Sequence, residues 1–385
     1  AHLHRRLLMR GTQRKVRGEG ARVLRTRAFI LCLCLAPFAP GHAADARAAV
    51  WERQRTGTFA WLHSVFFVDE RRGWAAGGKG ALLSTADGGA TWELRRAPTE
   101  DALRDVFFHD AEAGWLVCER SIFKPMEKEE SVSYLLKTTD GGARWTRVEV
   151  TRGADVDVKL AGLRFADREH GWAYGELGAL FFTSDGGATW RRQRVPTRHL
   201  LLGAAFLDAQ TGWLSGGGLT VLKTSDGGAT WRAGTVFLPA DAGGTARPDN
   251  FARAEPGQSG PGARPFGGRR LNAVWFAGAR RGWAVGGEGV ILSTVDGGLT
   301  WRPQASGVGD DLYDVKFFDE AEGWAVGRGG ALLHTRDGGR TWADTKRPTT
   351  HALERVFLVG RRAWAVGFGG TIVALRVEDG GFRDE

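Results

Sequence analysis

Cysteine is nearly absent from this chain, which has three among 385 residues. Cys32 and Cys34 lie in an N-terminal apolar run, and only Cys118 remains beyond it. A single cysteine excludes an internal disulfide and a cysteine-ligated zinc site from residues 45–385.

Long apolar runs are also absent. The run Ala28–Ala39 has twelve residues, whereas a membrane-spanning helix needs about 20. A basic stretch precedes this run and Gly41-His42-Ala43 follows it, which is the pattern of a signal peptide. We therefore expect a leader at residues 1–44, cleaved after Ala43 or Ala44, with Met9 or Val23 as alternative starts. The protein would be periplasmic or secreted, with no membrane insertion after cleavage.

An excess of charge is absent once the leader is set aside. The chain has 53 basic and 44 acidic residues, but nine of the basic residues and one acidic residue lie within residues 1–44. The remaining chain is almost neutral, so the high isoelectric point is no argument for a nucleic-acid partner.

Short repeats are abundant. The motif TSDGGATW occurs at Thr183–Trp190 and Thr224–Trp231, and close copies bring the total to six. A second motif, a tryptophan usually preceded by glycine, occurs seven times with a period of about 41 residues, at Trp74, Trp115, Trp172, Trp213, Trp283, Trp324 and Trp364. A phenylalanine lies seven residues before each, at Phe67, Phe108, Phe165, Phe206, Phe276, Phe317 and Phe357.

Each unit contains four short apolar stretches. In the fifth unit these are Asn272–Phe276 (strand A), Gly282–Gly286 (B), Val290–Thr294 (C) and a strand D that begins at Thr300. Four strands per repeat of about 40 residues are typical of a β-propeller blade. We predict an all-β fold over residues 45–385, a single seven-bladed propeller of four-stranded antiparallel blades. The N-terminal strand around Trp51 would complete the last blade and remove its exposed edge.

The repeated motif lies between strands C and D, where a hairpin turn is required. Gly-Gly supplies positive φ, the aspartate accepts hydrogen bonds from turn N–H groups, and the tryptophan packs between blades. We therefore predict structural roles for the six aspartates and six tryptophans, with no bound metal and no cofactor. These residues are Asp87, Asp140, Asp185, Asp226, Asp296, Asp337, Trp92, Trp145, Trp190, Trp231, Trp301 and Trp342.

The motif is the Asp-box, or bacterial neuraminidase repeat. Seven units with GW-A-V-G and DGG-x-TW, spanning about Trp51–Gly381, resemble the photosystem II stability/assembly factor family of exported propellers. That resemblance implies a non-enzymatic helper that docks on a membrane-protein subunit, or on another exported protein, by a basic surface. We expect it to be a monomer, and the resemblance implies a location equivalent to the thylakoid lumen if the organism is photosynthetic.

Insertions indicate which face binds. They fall in B–C and D–A connections, which emerge on the same face, whereas the A–B turns are expected to have one length. The largest, at about residues 240–270, is expected to be a mobile loop. Candidate partner-binding residues on this face are Lys79, Arg198, His199, Arg328, Lys346, Arg347 and His351. Arginine pairs at Arg71, Arg280 and Arg361 form a competing patch on the opposite face.

Two alternatives remain open. One is a glycan- or cell-wall-binding propeller. The other is a sialidase-like or other glycoside hydrolase, whose chemistry needs clustered arginines and a tyrosine activated by a glutamate, or paired acids. Of the three tyrosines, Tyr134 and Tyr174 are predicted in strands C and B, which leaves Tyr313 on an innermost strand A as the candidate nucleophile, with Asp310, Asp311 and Glu176 as candidate acids.

Overall fold

The computed structural model describes residues 49–121, 131–150, 157–237 and 269–377. All of them belong to one unit, Arg47–Glu385. The predicted leader and its cleavage site lie outside the described residues, as do residues 238–268 of the predicted mobile loop.

The described chain forms seven antiparallel sheets, in which consecutive strands pair with one another. Blades 1 to 3 contain β2 (Leu62–Phe67), β3 (Gly73–Gly77), β4 (Ala81–Thr85) and β5 (Glu93–Arg96); β6 (Ala102–Phe108), β7 (Gly114–Glu119), β8 (Ser133–Thr138) and β9 (Thr146–Val148); and β10 (Leu160–Phe165), β11 (Gly171–Gly175), β12 (Leu180–Thr183) and β13 (Arg191–Arg192).

Blades 4 to 6 continue the same pattern. They contain β14 (Leu201–Phe206), β15 (Gly212–Gly216), β16 (Thr220–Thr224) and β17 (Arg232–Ala233); β19 (Leu271–Phe276), β20 (Gly282–Gly286), β21 (Ile291–Thr294) and β22 (Thr300–Gln304); and β23 (Leu312–Phe317), β24 (Gly323–Gly327), β25 (Leu332–Thr335) and β26 (Ala343–Asp344). A short strand that the sequence did not reveal, β18 (Thr235–Val236), pairs in parallel with β22.

Blade 7 joins the two ends of the described chain. It consists of β27 (Leu353–Val359), β28 (Arg362–Gly367), β29 (Thr371–Val377) and β1 (Ala49–Gln54). Trp51 of β1 lies opposite Leu375 of β29, so the prediction that the N-terminal strand completes the last blade is confirmed. The innermost strands contact one another in sequence, and β27 contacts β2, which closes the ring.

The core is divided into seven apolar clusters, one at each interface between neighbouring blades. The strand B tryptophan of one blade stacks on the strand A phenylalanine of the next. The centroid distance is 3.6 Å for Trp74 on Phe108 and 3.7 Å for Trp364 on Phe67 across the closure. Aromatic burial therefore drives the packing of blade against blade.

Blade 7 departs from the predicted spacing. Phe67 pairs with Gly73, but Phe357 pairs with Trp364, as Phe66 pairs with Trp74. The predicted equivalence of Phe357 with Phe67 was therefore wrong, because the A–B turn of blade 7 is one residue shorter. Leu358 occupies the stacking position, and Trp324 of blade 6 stacks on His334 instead, at 4.0 Å.

The Asp-box turns are held by side chains within the motif. In blade 3, the Thr183 hydroxyl donates to Asp185 Oδ1 at 2.7 Å and accepts from Gly187 N at 2.8 Å. Thr189 donates its N–H and its hydroxyl to Asp185 at 2.9 and 2.6 Å. The structural role predicted for the aspartates agrees with this geometry, which recurs in all six turns with Arg144 in place of the second threonine in blade 2.

The Asp-box tryptophans are not equally buried. Four are buried as expected: Trp92, Trp231, Trp301 and Trp342. Trp145 and Trp190 are only half-buried, so the expectation of full burial was wrong for these two. The difference depends on which residue the preceding blade places over the tryptophan. Gln54 and Gln304 cover Trp92 and Trp342 and accept their indole N–H groups, but Arg95 and Val148 stand at the equivalent positions before Trp145 and Trp190.

Candidate functional site

The two ends of the propeller differ in their connections. We call the end formed by the B–C turns and D–A loops the loop face, and the end formed by the A–B and C–D turns the turn face. The strand order places the B–C and D–A connections at the same end of the propeller. The turn face carries near-uniform turns, apart from the shorter A–B turn of blade 7.

The B–C turns of the loop face share one rigid form. Five of them are single 3₁₀ turns, at Gly78–Gly80, Glu176–Gly178, Gly287–Gly289, Arg328–Gly330 and Phe368–Gly370. Their central residues have positive φ even where they are not glycine, namely 55° at Lys79, 56° at Leu177 and 57° at Glu288. Such conformations persist only where the surroundings impose them. Here each of these three turns presents one exposed, variable side chain.

The D–A loops hold these turns in place. Gly78 N donates to Trp61 O and Arg328 N donates to Asp311 O, both at 2.8 Å. In these two blades, backbone hydrogen bonds therefore fix the B–C turn relative to the D–A loop that enters the same blade.

The seven candidate binding residues all lie on the loop face but not in one cluster. Lys79 is the exposed apex of the blade 1 turn, and Arg198 and His199 are exposed in the loop that enters blade 4. The other four gather between blades 6 and 7, where Arg328 and Lys346 are exposed and Arg347 and His351 are half-buried.

Arg347 and His351 are occupied by contacts within the protein. Arg347 pairs with Asp344 at 2.7 Å and donates to Gly329 O at 3.2 Å. His351 Nδ1 lies 2.9 Å from Thr371 Oγ1. Their side chains therefore anchor the loop to the neighbouring turn, which leaves Arg328 and Lys346 as the exposed cations of this group.

The central channel opens on the loop face through a cavity of about 410 Å³. Strand A of each blade contains a buried leucine, and the residue directly after that leucine lies in a ring around this mouth. The ring consists of His63, Arg104, Ala161, Leu202, Asn272, Tyr313 and Glu354. The position after the repeated leucine was the signal that could have identified this ring from the sequence.

Charges at the mouth are partly paired. Glu119 accepts from Arg104 and also pairs with Lys159 at 2.8 Å. Burial and the Arg104 charge lower the pKa of His63 to about 4, so His63 is neutral at pH 7. Burial raises the pKa of Glu354, whose carboxylate accepts from Trp61 Nε1 at 3.1 Å. Arg270 and Arg355 add further positive charge to the lining.

Tyr313 lies at this mouth, as its predicted place on an innermost strand requires, and Glu176 lines the same cavity. Burial and the negative charges of Glu354 and Asp311 raise the pKa of Tyr313. A tyrosine nucleophile has to lose its proton, and a raised pKa opposes that loss. Arg104 pairs with Glu119 and Arg270 with Asp311, so the arginines of this mouth do not form a cluster that is free to hold a substrate carboxylate. The arrangement gives little support to glycosidase chemistry.

Exposed apolar side chains flank the mouth. Phe59 is 92% exposed, and Trp61 and Phe368 meet edge to face at 5.4 Å beside it. Leu177 and Leu200 are exposed on the same face near blades 3 and 4. Phe59, Trp61 and Lys79 line a broad groove that runs along blade 1. Apolar surface beside exposed cations is the composition of a protein-docking surface, and sequence reasoning had missed these aromatic residues.

A metal-ion site and a membrane-spanning helix are both absent from residues 49–121, 131–150, 157–237 and 269–377. No group of three or more His, Cys, Asp or Glu side chains there is placed to hold a metal ion. No helix in those ranges is long and apolar enough to cross a membrane.

A family model matches most of the chain. Its description is photosynthesis system II assembly factor YCF48, and it matches residues 43–130, 96–198, 269–348 and 303–381. No functionally curated protein matches the sequence.

Solved structures share the fold at low identity. YCF48 from Cyanidioschyzon merolae has 20% identity and a TM-score of 0.63, with 86% of this chain and 100% of that chain covered. A structure of YCF48 bound to D1 peptide has 20% identity and a TM-score of 0.62, with 84% and 94% covered. A GH74 xyloglucanase from Xanthomonas campestris has 13% identity and a TM-score of 0.58, with 86% of this chain and 54% of that chain covered.

Proposed function

This chain belongs to the family of photosynthesis system II assembly factor YCF48, and we propose that it is an exported, non-enzymatic propeller that docks a segment of a membrane-protein subunit on its loop face. The signal-peptide pattern of residues 1–44 supports export to the periplasm or beyond. The near-neutral charge of the remaining chain favours a protein over a nucleic acid as the partner.

One observation carries the choice of face. The loop face combines the open mouth of the channel with exposed aromatic residues and exposed cations, at Phe59, Trp61, Lys79, Arg328 and Lys346. An aromatic anchor beside charged groups suits a peptide that brings apolar and acidic side chains.

The turn face offers less for a partner to read. Its Asp-box aspartates are occupied by hydrogen bonds within their own turns, as at Asp87. Asp69 and Asp110 of the A–B turns likewise accept backbone N–H groups of the same turn. The repeated shape of these turns serves the fold, which leaves binding to the loop face.

A fold relative supports the type of ligand. One YCF48 structure is bound to a D1 peptide, so a propeller of this family can hold a segment of another protein. The same type of ligand, an extended segment of a membrane-protein subunit, is proposed for this chain.

Site-specific crosslinking tests the proposal in native membranes. A photoreactive p-benzoyl-phenylalanine replaces Phe59 on the loop face in one variant and Leu299, which is 59% exposed on the turn face, in the matched control. We expect the Phe59 variant to crosslink to a membrane protein, identified by mass spectrometry, and the Leu299 variant to give no such adduct. Adducts from Leu299 alone, or adducts only with soluble proteins, would reject the proposed face or the proposed partner class.

A further inference from the structure

A second, more enclosed cavity of about 290 Å³ lies within the described part of the central channel. Four charged side chains line it: Arg164 of β10, Asp314 and Lys316 of β23, and Arg355 of β27. Arg355 also lines the mouth cavity and therefore lies between the two spaces. Three cations therefore share an enclosed space with one carboxylate.

The nearby carboxylates already have their donors. Asp314 accepts from Val315 N at 2.9 Å and Lys316 Nζ at 3.2 Å through one oxygen, and from Val356 N at 3.1 Å through the other. These bonds tie blade 6 to blade 7, so the carboxylate has a structural role.

Asp105, just outside this cavity, is bound in the same way. It accepts from the Ser64 hydroxyl at 2.7 Å, from Leu163 N at 3.0 Å and from Arg164 Nη1 at 2.6 Å. Asp105 thus fixes one edge of Arg164, and the rest of that guanidinium remains available to the cavity.

Arg355 has no comparable partner. Within the described ranges its buried Nε has no hydrogen-bond acceptor, and its guanidinium forms no ion pair closer than 4.0 Å. A guanidinium carries five N–H donors and stays charged at every relevant pH. A buried donor without an acceptor is destabilising, and more so when it is charged, so this position calls for an anionic acceptor.

Aromatic walls keep the cations directed at the cavity. Phe66, Phe357 and Trp275 line the same space, and Lys316 Nζ lies 4.8 Å from the centroid of the Trp275 ring. Two arginines and one lysine are balanced by Asp314 and by Asp105, which pairs with Arg164, so the group keeps an excess of one positive charge. Planar guanidinium groups match the geometry of phosphate oxygens.

We propose that this cavity binds a small divalent tetrahedral oxyanion, of the class of inorganic phosphate, between Arg355, Arg164 and Lys316. The bound anion would connect blades 3, 6 and 7 across the channel and form the floor of the mouth. The inference rests on the channel lining alone, so it is independent of partner docking on the loop face.

Isothermal titration of the full protein with inorganic phosphate, at pH 7 in a buffer free of other oxyanions, tests the site. We expect saturable binding of one phosphate per protein, with competition by sulfate and none by chloride at equal concentration. Arg355→Met, which keeps the apolar stem and removes the charge, should weaken binding by about tenfold or more.

Arg270→Met is the matched control, because Arg270 lines the mouth cavity but not the deeper one. It should leave phosphate affinity within about twofold. Lys316→Met provides a second variant should Arg355→Met fail to fold, as judged by circular dichroism. Absence of saturable binding, displacement by equimolar chloride, or equal losses in the Arg270 and Arg355 variants would overturn the proposal.

Discussion

At the scale of single residues, the Asp-box is a closed set of hydrogen bonds. The threonine that ends strand C and the threonine four residues after the aspartate both donate to the carboxylate, as Thr183 and Thr189 do to Asp185. Gly187, at a φ of 79°, donates its N–H to the Thr183 hydroxyl. The aspartate therefore organises a turn in which several polar groups would otherwise have to form hydrogen bonds with water.

This closure predicts a specific dependence on pH. Hydrogen bonds from the Thr189 hydroxyl and N–H, and then from Thr183, lower the pKa of Asp185 from 3.8 to about 2. A carboxyl whose pKa falls on folding stabilises the fold above its unfolded pKa, and that contribution is lost as the pH falls through the folded value. The relevant window is therefore pH 4 to 2, between the unfolded and the folded pKa of Asp185.

Asp185→Asn tests this account. We expect the variant to unfold more readily than the parent in urea at pH 6 and to approach the parent at pH 2, with tryptophan fluorescence as the readout. Parallel stability curves for the two proteins from pH 6 to pH 2 would show that the Asp185 carboxylate adds nothing through its ionisation.

At the scale of elements, stability is concentrated at the interfaces between blades. Trp301 is fully buried against Phe276, with ring centroids 5.7 Å apart, whereas Trp190 is half-buried and its indole Nε1 has no partner among the described residues. The same motif residue thus has unequal surroundings in two blades.

Trp301→Ala should therefore cost about 3–5 kcal/mol in the free energy of unfolding, as large aromatic truncations in a core do. Trp190→Ala should cost clearly less, since part of its surface already contacts water. Urea denaturation of the two variants measures both values. A larger loss for Trp190 than for Trp301 would mean that burial at these interfaces does not determine their stability.

The sequence was sufficient for the elements that repeat. Strand bounds in blade 5 differ from the prediction by a single residue at Leu271 and Ile291, because the glycine and tryptophan spacings specify register. The features that it did not reveal are those without repetition. The short pairing of β18 depends on a contact between distant segments. The one-residue deletion in blade 7 was not recognised because Phe357 and Trp364 keep the spacing of seven residues found in the other blades.

The candidate site was predicted only in part for the same reason. Loop length indicated the face, and Lys79, Arg198 and Arg328 lie exposed on it. The channel mouth is assembled from one residue of each blade, so no local sequence motif predicts it. Only the folded ring shows that Arg347 is occupied by Asp344 and that Arg355 has no acceptor in the described chain.

At the scale of the whole molecule, the residues that maintain the fold lie apart from the proposed docking surface. The turn face and the interfaces between blades carry the repeated residues that maintain the fold. The loop face carries variable side chains on rigid turns, together with the exposed aromatic pair of Trp61 and Phe368. A mutation of exposed loop-face charges should therefore affect binding without affecting stability.

The affinity for a labelled D1 peptide, measured by fluorescence anisotropy for the parent and two triple variants, tests docking on the loop face most directly. One variant replaces the exposed cations Arg198, Arg328 and Lys346 with Glu, and the control replaces Arg71, Arg280 and Arg361 on the turn face with the same change in charge. We predict that the parent binds, that the loop-face variant loses about tenfold or more in affinity, and that the turn-face variant stays within about twofold of the parent. Absence of binding by the parent, equal affinity for all three proteins, or a loss confined to the turn-face variant would contradict the account.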